Sequence, residues 1–265
     1  MPVRTPSETL QTAITAGCTK ASATSRSGFS RLILGSILAG AYIALGGALS
    51  LAVGSGFPGI AAENPGLQKL LSGLVFPVGL MLVVVLGADL FTGNNALLMP
   101  PLFERKLSAG NVIANWTAVW CFNFVGALAV AYFLIYLPGT LSTGPYPEAI
   151  AKLAAAKTSM GFGAVLLKGI GANWCVCLAV WLALSGRRLG EKLLACEIPV
   201  FAFVALGFEH CVANMFFIPL AMMQGAPVDL YTLFVVNLLP ATIGNIIGGA
   251  LFVGAVQWYM CRPRA

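Results

Sequence analysis

Apolar residues in this chain run on for membrane-length stretches instead of alternating with polar ones, and the first stretch, residues 32–53, carries no charge at all. A helix of that length spans a hydrocarbon core of about 30 Å. Gly35, Gly40, Gly46 and Gly47 within it would let neighbouring helices approach closely. Residues 54–69, with Pro58 and Pro65, read as a connection. A second apolar stretch, residues 70–88, is interrupted by Asp89-Leu90-Phe91-Thr92-Gly93-Asn94-Asn95 and resumes over residues 96–103. The third covers residues 112–137, with Trp116, Trp120, Tyr132 and Tyr136 placed for interface anchoring or helix packing. After a Pro-containing connection at 138–158 come the fourth, 162–184, and a fifth at 193–208. Glu209-His210 interrupts the fifth before it continues over 211–223, and residues 235–259 form the sixth. The pattern predicts an all-α integral membrane protein with six spans, the second and fifth broken.

The two interruptions occupy matching places. Gly87-x-Asp89-x4-Asn94 corresponds to Gly207-x-Glu209-x4-Asn214, and Asn123-x2-Gly126 in the third span corresponds to Asn245-x2-Gly248 in the sixth. The offsets are 120 and 122 residues. Three spans per half force the second copy to enter upside down, so the sequence reads as a 3+3 inverted repeat, and paired broken helices in such a repeat point to a midplane permeation site. Irregular backbone at that depth must be buried in protein or line a water-filled cavity.

Composition agrees: 58% of the 265 residues are hydrophobic and 9% charged, with a mean hydropathy of +0.89. The net charge of +6 matters less than where the charges fall. Eleven of the fifteen Lys and Arg residues, among them Arg4, Lys20, Arg26, Arg105, Arg187 and Arg264, collect on one side of the six spans. Lys69, Lys152, Lys157 and Lys168 fall on the other, which places both termini in the cytoplasm. No cleavable signal pattern opens the chain. Residues 1–30 form a cytoplasmic segment in which Ser7-Glu8, followed by Leu10, Ile14 and Cys18, can open a surface amphipathic helix. Residues 31–261 are the pore domain and 262–265 a short tail. Seven cysteines, an odd number scattered through apolar stretches, disfavour a disulfide framework.

His210 is the only histidine. An imidazole and a carboxylate at hydrocarbon depth are expensive unless partnered, and read as parts of a pathway or relay. With no second histidine, a metal site is disfavoured. Cys175-x-Cys177 with Cys211 and His210 invites a thiol or metal enzyme, but Cys-x-Cys on a helix points its sulfurs to different faces. Asp89, Glu209, Asn94 and Asn214 fit a structural role, satisfying loop backbone. Thr92 can cap a helix opened by the break. Apolar rings can gate a pore by dewetting, and Lys157 is either a solvated charge or a vestibule cation.

Four segments together resemble the formate/nitrite transporter family: residues 87–94 (Gly-Ala-Asp-Leu-Phe-Thr-Gly-Asn), 173–181 (Asn-Trp-Cys-Val-Cys-Leu-Ala-Val-Trp), 207–215 (Gly-Phe-Glu-His-Cys-Val-Ala-Asn-Met) and 242–249 (Thr-Ile-Gly-Asn-Ile-Ile-Gly-Gly). The resemblance is closest to formate channels. It implies an aquaporin-like protomer in a homopentamer within the lipid bilayer of the cell inner membrane, moving a small anion: formate, or nitrite or hydrosulfide. It implies no enzymatic activity, cofactor, metal or nucleic acid. His210 would be the central pore histidine facing Thr92. Phe76 and Phe203 would form the outer constriction, Leu80 and Phe91 the inner one. Lys157 would sit in the outer vestibule, Asn173 and Asn245 would be pore-side polar contacts, and Glu209 would support the histidine. Imidazole titrates near neutral pH, so His210 can hand a proton to formate. A neutral-solute pore is the alternative within transport.

Overall fold

The computed structural model describes residues 3–24 and 28–262. Arg26 and Arg264, counted above among the cytoplasmic charges, and residues 263–265 of the tail lie outside them. The regular structure among the described residues is all helical, with no strand.

In chain order the helices are α1 (Pro6–Ser22), α2 (Phe29–Ser55), α3 (Pro58–Glu63), α4 (Pro65–Val75), α5 (Val78–Leu86), α6 (Phe91–Leu97), α7 (Met99–Phe103), α8 (Ala109–Ala129), α9 (Tyr146–Thr158), α10 (Phe162–Ser185), α11 (Leu189–Ala205), α12 (Cys211–Met223), α13 (Leu239–Ile246) and α14 (Val256–Cys261). Wider π-type turns over Val130–Tyr136, Thr232–Leu238 and Ile247–Ala255 extend α8 and join the pieces of the last long helix. Five helical stretches are long and apolar enough to cross a membrane: Phe29–Ser55, Pro65–Leu86 (α4 and α5 in line), Ala109–Tyr136, Phe162–Ser185 and Thr232–Cys261. α12 is apolar but short. It follows α11 across the Glu209-His210 break, as expected for an interrupted span.

Two stretches assigned to connections hold helices. Pro58 and Pro65 each occupy a first turn, where a missing N–H is no loss, and start α3 and α4. Tyr146–Thr158 forms α9, with Glu148 in its first turn and Lys157 in its last. The first break is shorter than the polar residues suggested. The helix resumes at Phe91, not at Ala96, because the side chain of Asn123 accepts the Phe91 N–H at 2.8 Å and takes the place of a local cap.

The long helices meet through small residues. A Cβ on Gly126 would run into the Ile37 carbonyl, and one on Gly248 into the Ile170 carbonyl, so α8 lies backbone against backbone on α2, and the last long helix on α10.

α1 opens two residues ahead of the expected Ser7, with Thr5 as its cap. Thr5 accepts the Glu8 N–H at 3.3 Å while Glu8 accepts the Thr5 N–H at 2.8 Å. The helix is packed into the body, not laid on its surface: Leu10, Ala13 and Ile14 are buried in the main core.

Candidate functional site

Both breaks turn on a left-handed glycine, Gly87 (φ 73°) and Gly207 (φ 66°), a conformation that ends a helix and that glycine adopts without steric penalty. The chain then runs extended for a few residues before α6 and α12 begin. Each extended stretch is held by one asparagine from a neighbouring helix. Asn123 on α8 donates to the carbonyls of Asp89 (2.9 Å) and Ser36 (2.7 Å) and accepts from Phe91 N. Asn245 on α13 donates to the carbonyls of Glu209 (2.9 Å) and Gly169 (2.8 Å) and accepts from Cys211 N at 2.8 Å. These are the asparagines picked out at the 122-residue offset. In a medium without water such bonds are the only way to satisfy opened backbone.

The two carboxylates follow the same plan. Asp89 pairs with Lys20 at 2.7 Å and Glu209 with Lys157 at 2.9 Å. Asn94 donates to Asn115 (3.0 Å), which donates to the Lys20 carbonyl (3.0 Å). Asn214 donates to Asn237 (2.8 Å), which donates to the Lys157 carbonyl (3.0 Å). The second Glu209 oxygen accepts from Asn214 at 2.6 Å and Asn237 at 3.2 Å, so this buried charge is fully partnered. Partners of the carboxylates are therefore lysine and asparagine side chains, not the loop amides expected from sequence. Asn115 and Asn237, missed in that reading, are also 122 residues apart, a signal that was present. Lys20 carried none, because the helices bearing the two lysines lie at different distances from their breaks.

His210 and Thr92 meet where the two breaks face each other, with Thr92 Oγ1 3.0 Å from His210 Nε2. His210 is the N-cap of α12, and its Nδ1 accepts the Ala213 N–H at 3.1 Å. A backbone N–H only donates, so Nδ1 presents its lone pair, the neutral ring carries its hydrogen on Nε2, and Thr92 Oγ1 accepts it. Thr92 caps no helix itself. Its carbonyl is pinned from α10 by Asn173 Nδ2 and Cys177 Sγ, both at 3.1 Å.

One cavity of about 610 Å³ reaches His210. Its walls include Phe76, Phe203 and Lys157, with Lys69 and Lys152 also lining it. Phe203 stacks on the His210 ring at 5.8 Å, and Phe76 meets Phe203 edge-on at 5.7 Å. Thr92, Leu80 and Phe91 are closed off from this cavity and buried. Phe91 instead lines a lateral cleft of about 480 Å³ with Trp116 and Trp120. Asn173 and Asn245 have their amide hydrogens on protein oxygens, Asn173 on Thr92, Asn95 and Asn245, so contact with a solute would displace existing bonds. Among the described residues no group of three or more His, Cys, Asp or Glu is placed to hold a metal.

A family profile described as "Formate/nitrite transporter" matches residues 7–259. The chain belongs to the formate/nitrite transporter family. It is 45% identical over 258 residues, 97% of this chain and 94% of the relative, to an "Uncharacterized transporter YrhG" of Bacillus subtilis (strain 168). Among solved structures it resembles an "FNT family ion channel", with a TM-score of 0.87 at 30% identity, covering 96% of this chain and 99% of that one. It also resembles a "Pentameric formate channel with formate bound", with a TM-score of 0.77 at 30% identity, covering 89% and 98%. Members of this family are transporters and channels, and this chain is a multi-pass membrane protein.

Proposed function

We propose that this protein is a homopentameric channel for small monovalent anions, with formate as the substrate. Each protomer would cross the membrane six times as a 3+3 inverted repeat, with both termini cytoplasmic in the cell inner membrane. The observation that carries the reading is the His210–Thr92 contact, buried between two breaks braced alike and closed on one side by the Phe76–Phe203 pair. The likeness to a formate-bound channel supports formate over nitrite or hydrosulfide.

On this reading anions gather in the vestibule that Lys69 lines, where its charge raises their local concentration while Lys152 and Lys157 are paired with Glu148 and Glu209, and lose water at the Phe76–Phe203 pair. A bare anion is costly there, and protonated formate is not. If His210 relays that proton, the ring must first bind one at Nδ1, releasing the Ala213 amide. The Nε2 proton then passes to the formate oxygen and leaves a neutral ring with its hydrogen on Nδ1; that proton must leave and another bind at Nε2 before Nδ1 can accept the Ala213 N–H again.

Formate flux into proteoliposomes across an imposed pH gradient tests the channel. Flux no higher than in empty liposomes removes it, and water or glycerol flux without anion flux would favour a neutral-solute pore. An unchanged pH dependence of flux in His210→Phe would remove the relay alone.

A further inference from the structure

The lateral cleft beside Phe91 belongs neither to the vestibule nor to the His210 contact. It opens between the third and sixth spans, and its sides are built from corresponding positions. Trp116, Thr117 and Trp120 line it from α8, and Leu238, Leu239 and Thr242 line it from the last long helix. Each of these pairs is 122 residues apart, the offset of the bracing asparagines. Trp120 Nε1 donates to Thr242 Oγ1 at 3.1 Å, and three residues further along the two helices stand Asn123 and Asn245. The cleft therefore lies close to both breaks, but only the first turns a ring towards it. Phe91 lines the cleft and meets Trp116 edge-on at 6.5 Å. Cys211, which corresponds to Phe91 at the 120-residue offset, lies outside the lining.

No charged residue lines the cleft, and its Trp120 and Thr242 side chains are bonded to each other, so nothing in it would select an ion or a headgroup. Trp120 and Thr242 lie ten residues or more from either end of their spans, Ala109–Tyr136 and Thr232–Cys261. That is about 15 Å of helix, which sets the cleft at hydrocarbon depth. Its rim residues Ile113, Phe234 and Leu239 are exposed and continuous with the apolar surface that the bilayer covers. The medium at that depth is acyl chain. A cavity of about 150 Å³ already takes a benzene ring, and the cleft measures about 480 Å³.

The way past Thr92 is shut in this structure. Thr92, Leu80 and Phe91 are buried, and the vestibule cavity reaches none of them. Of the three, Phe91 alone borders the cleft, so the cleft is where its ring has room to withdraw. We propose that the lateral cleft binds one acyl chain of the surrounding lipid, and that this chain keeps the path past Thr92 shut by filling the space into which the Phe91 ring would turn. Ring and chain are both apolar, so exchanging one for the other strips no polar group of a partner.

This inference rests on the anion-channel reading, and the experiment keeps the two apart. Proteoliposomes are made with a phosphatidylcholine carrying a diazirine at mid-chain, and adducts are mapped by residue after photolysis. Adducts are expected on Trp116 and Trp120, beside those on the exposed Leu134 and Leu167, which serve as the internal standard. Cys121 is exposed and lines the cleft, and Cys121→Trp puts an indole where the chain would lie. In that variant the cleft adducts are expected to be lost and the standard kept. Standard adducts without cleft adducts in wild type overturn the inference, the cleft then being covered by a second copy of this chain. Cleft adducts without formate flux in wild type support the chain site and overturn the channel reading.

With wild-type flux present, Cys121→Trp is expected to lower formate flux about tenfold or more, because a tethered indole never vacates the space the ring needs. Adding Phe91→Ala is expected to return flux to within about threefold of Phe91→Ala alone. Wild-type flux in Cys121→Trp overturns the inference, since the ring would then not need the cleft. A double variant as slow as Cys121→Trp also overturns it, since the indole would act by another route. Should Cys121→Trp fail to assemble, Thr117→Trp, exposed on the same side of the cleft, is read in the same way.

Discussion

Thr92 and His210, 118 positions apart in the chain, meet through a single 3.0 Å contact between Oγ1 and Nε2. The same ring caps α12 through Nδ1, so its tautomer is fixed by the backbone around it and not by any solute. Replacing His210 by Phe removes both the cap and the Thr92 contact. Loss of the cap alone is expected to cost about 1 kcal/mol, and the orphaned Thr92 hydroxyl about as much again. A thermal scan in detergent, beside the flux assay, checks this: a midpoint unmoved by the substitution would mean the ring bears no structural weight.

The bracing asparagines give a paired prediction. Asn123→Ala and Asn245→Ala each remove three bonds to buried backbone. An unpaired buried group costs about 1–3 kcal/mol, so each variant is expected to lose several kcal/mol, and the two losses should be alike. Denaturant titration of both proteins measures it. A large loss in one and none in the other would break the equivalence of the two breaks.

Glycine substitution separates helix contact from open space. At Gly126 and Gly248 an added methyl meets a carbonyl of the facing helix, whereas at Gly163 nothing lies within 4 Å. Gly126→Ala and Gly248→Ala are expected to destabilise by about 1–3 kcal/mol or to prevent assembly. Gly163→Ala, in the first turn of α10, is expected to be neutral or to stabilise by up to about 1 kcal/mol. Expression as a monodisperse oligomer ranks all three.

Much of this was legible in the sequence because a membrane removes water as a partner. The apolar runs at 32–53, 112–137 and 162–184 had to be helices, and Asp89 and Glu209 had to lie where the helices stop. Asn123 and Asn245 stood out because matched halves need matched braces. α3 and α9 were hidden by prolines that start helices as readily as they end them. The Lys20–Asp89 pair was hidden for a different reason. A salt bridge between residues 69 apart depends on where α1 docks, and its docking is set by Arg4 and by a glycine, Gly17, lying against the Leu97 carbonyl, none of which leaves a period in the chain.

Outside the membrane spans, Glu8 gives a pH prediction. The Thr5 backbone N–H, first among its contacts, holds its carboxyl below the usual carboxylate range. A group depressed in the folded state stabilises above its unfolded value and loses that contribution as pH falls through the folded one. The cap of α1 should therefore be constant from pH 8 to 5 and weaken only below about pH 4. Amide exchange of residues 8–10 follows it. Loosening already near pH 6 would show that another group controls the helix.

Phe203 joins the last two parts of the site, stacked on His210 on one side and edge-on to Phe76 on the other. It is 3% exposed although it lines the cavity, so truncating it opens space directly above the histidine. Phe203→Ala is expected to cost about 3–5 kcal/mol if the hole stays dry, and less if water fills it. Water in that position would let an anion reach His210 without first losing its shell. The variant should then pass formate with a weaker pH dependence and admit larger or better hydrated anions such as acetate and chloride. Competition between formate and chloride flux at fixed pH reads the change. A Phe203→Ala protein that folds and keeps the wild-type preference would place the selective step elsewhere along the path.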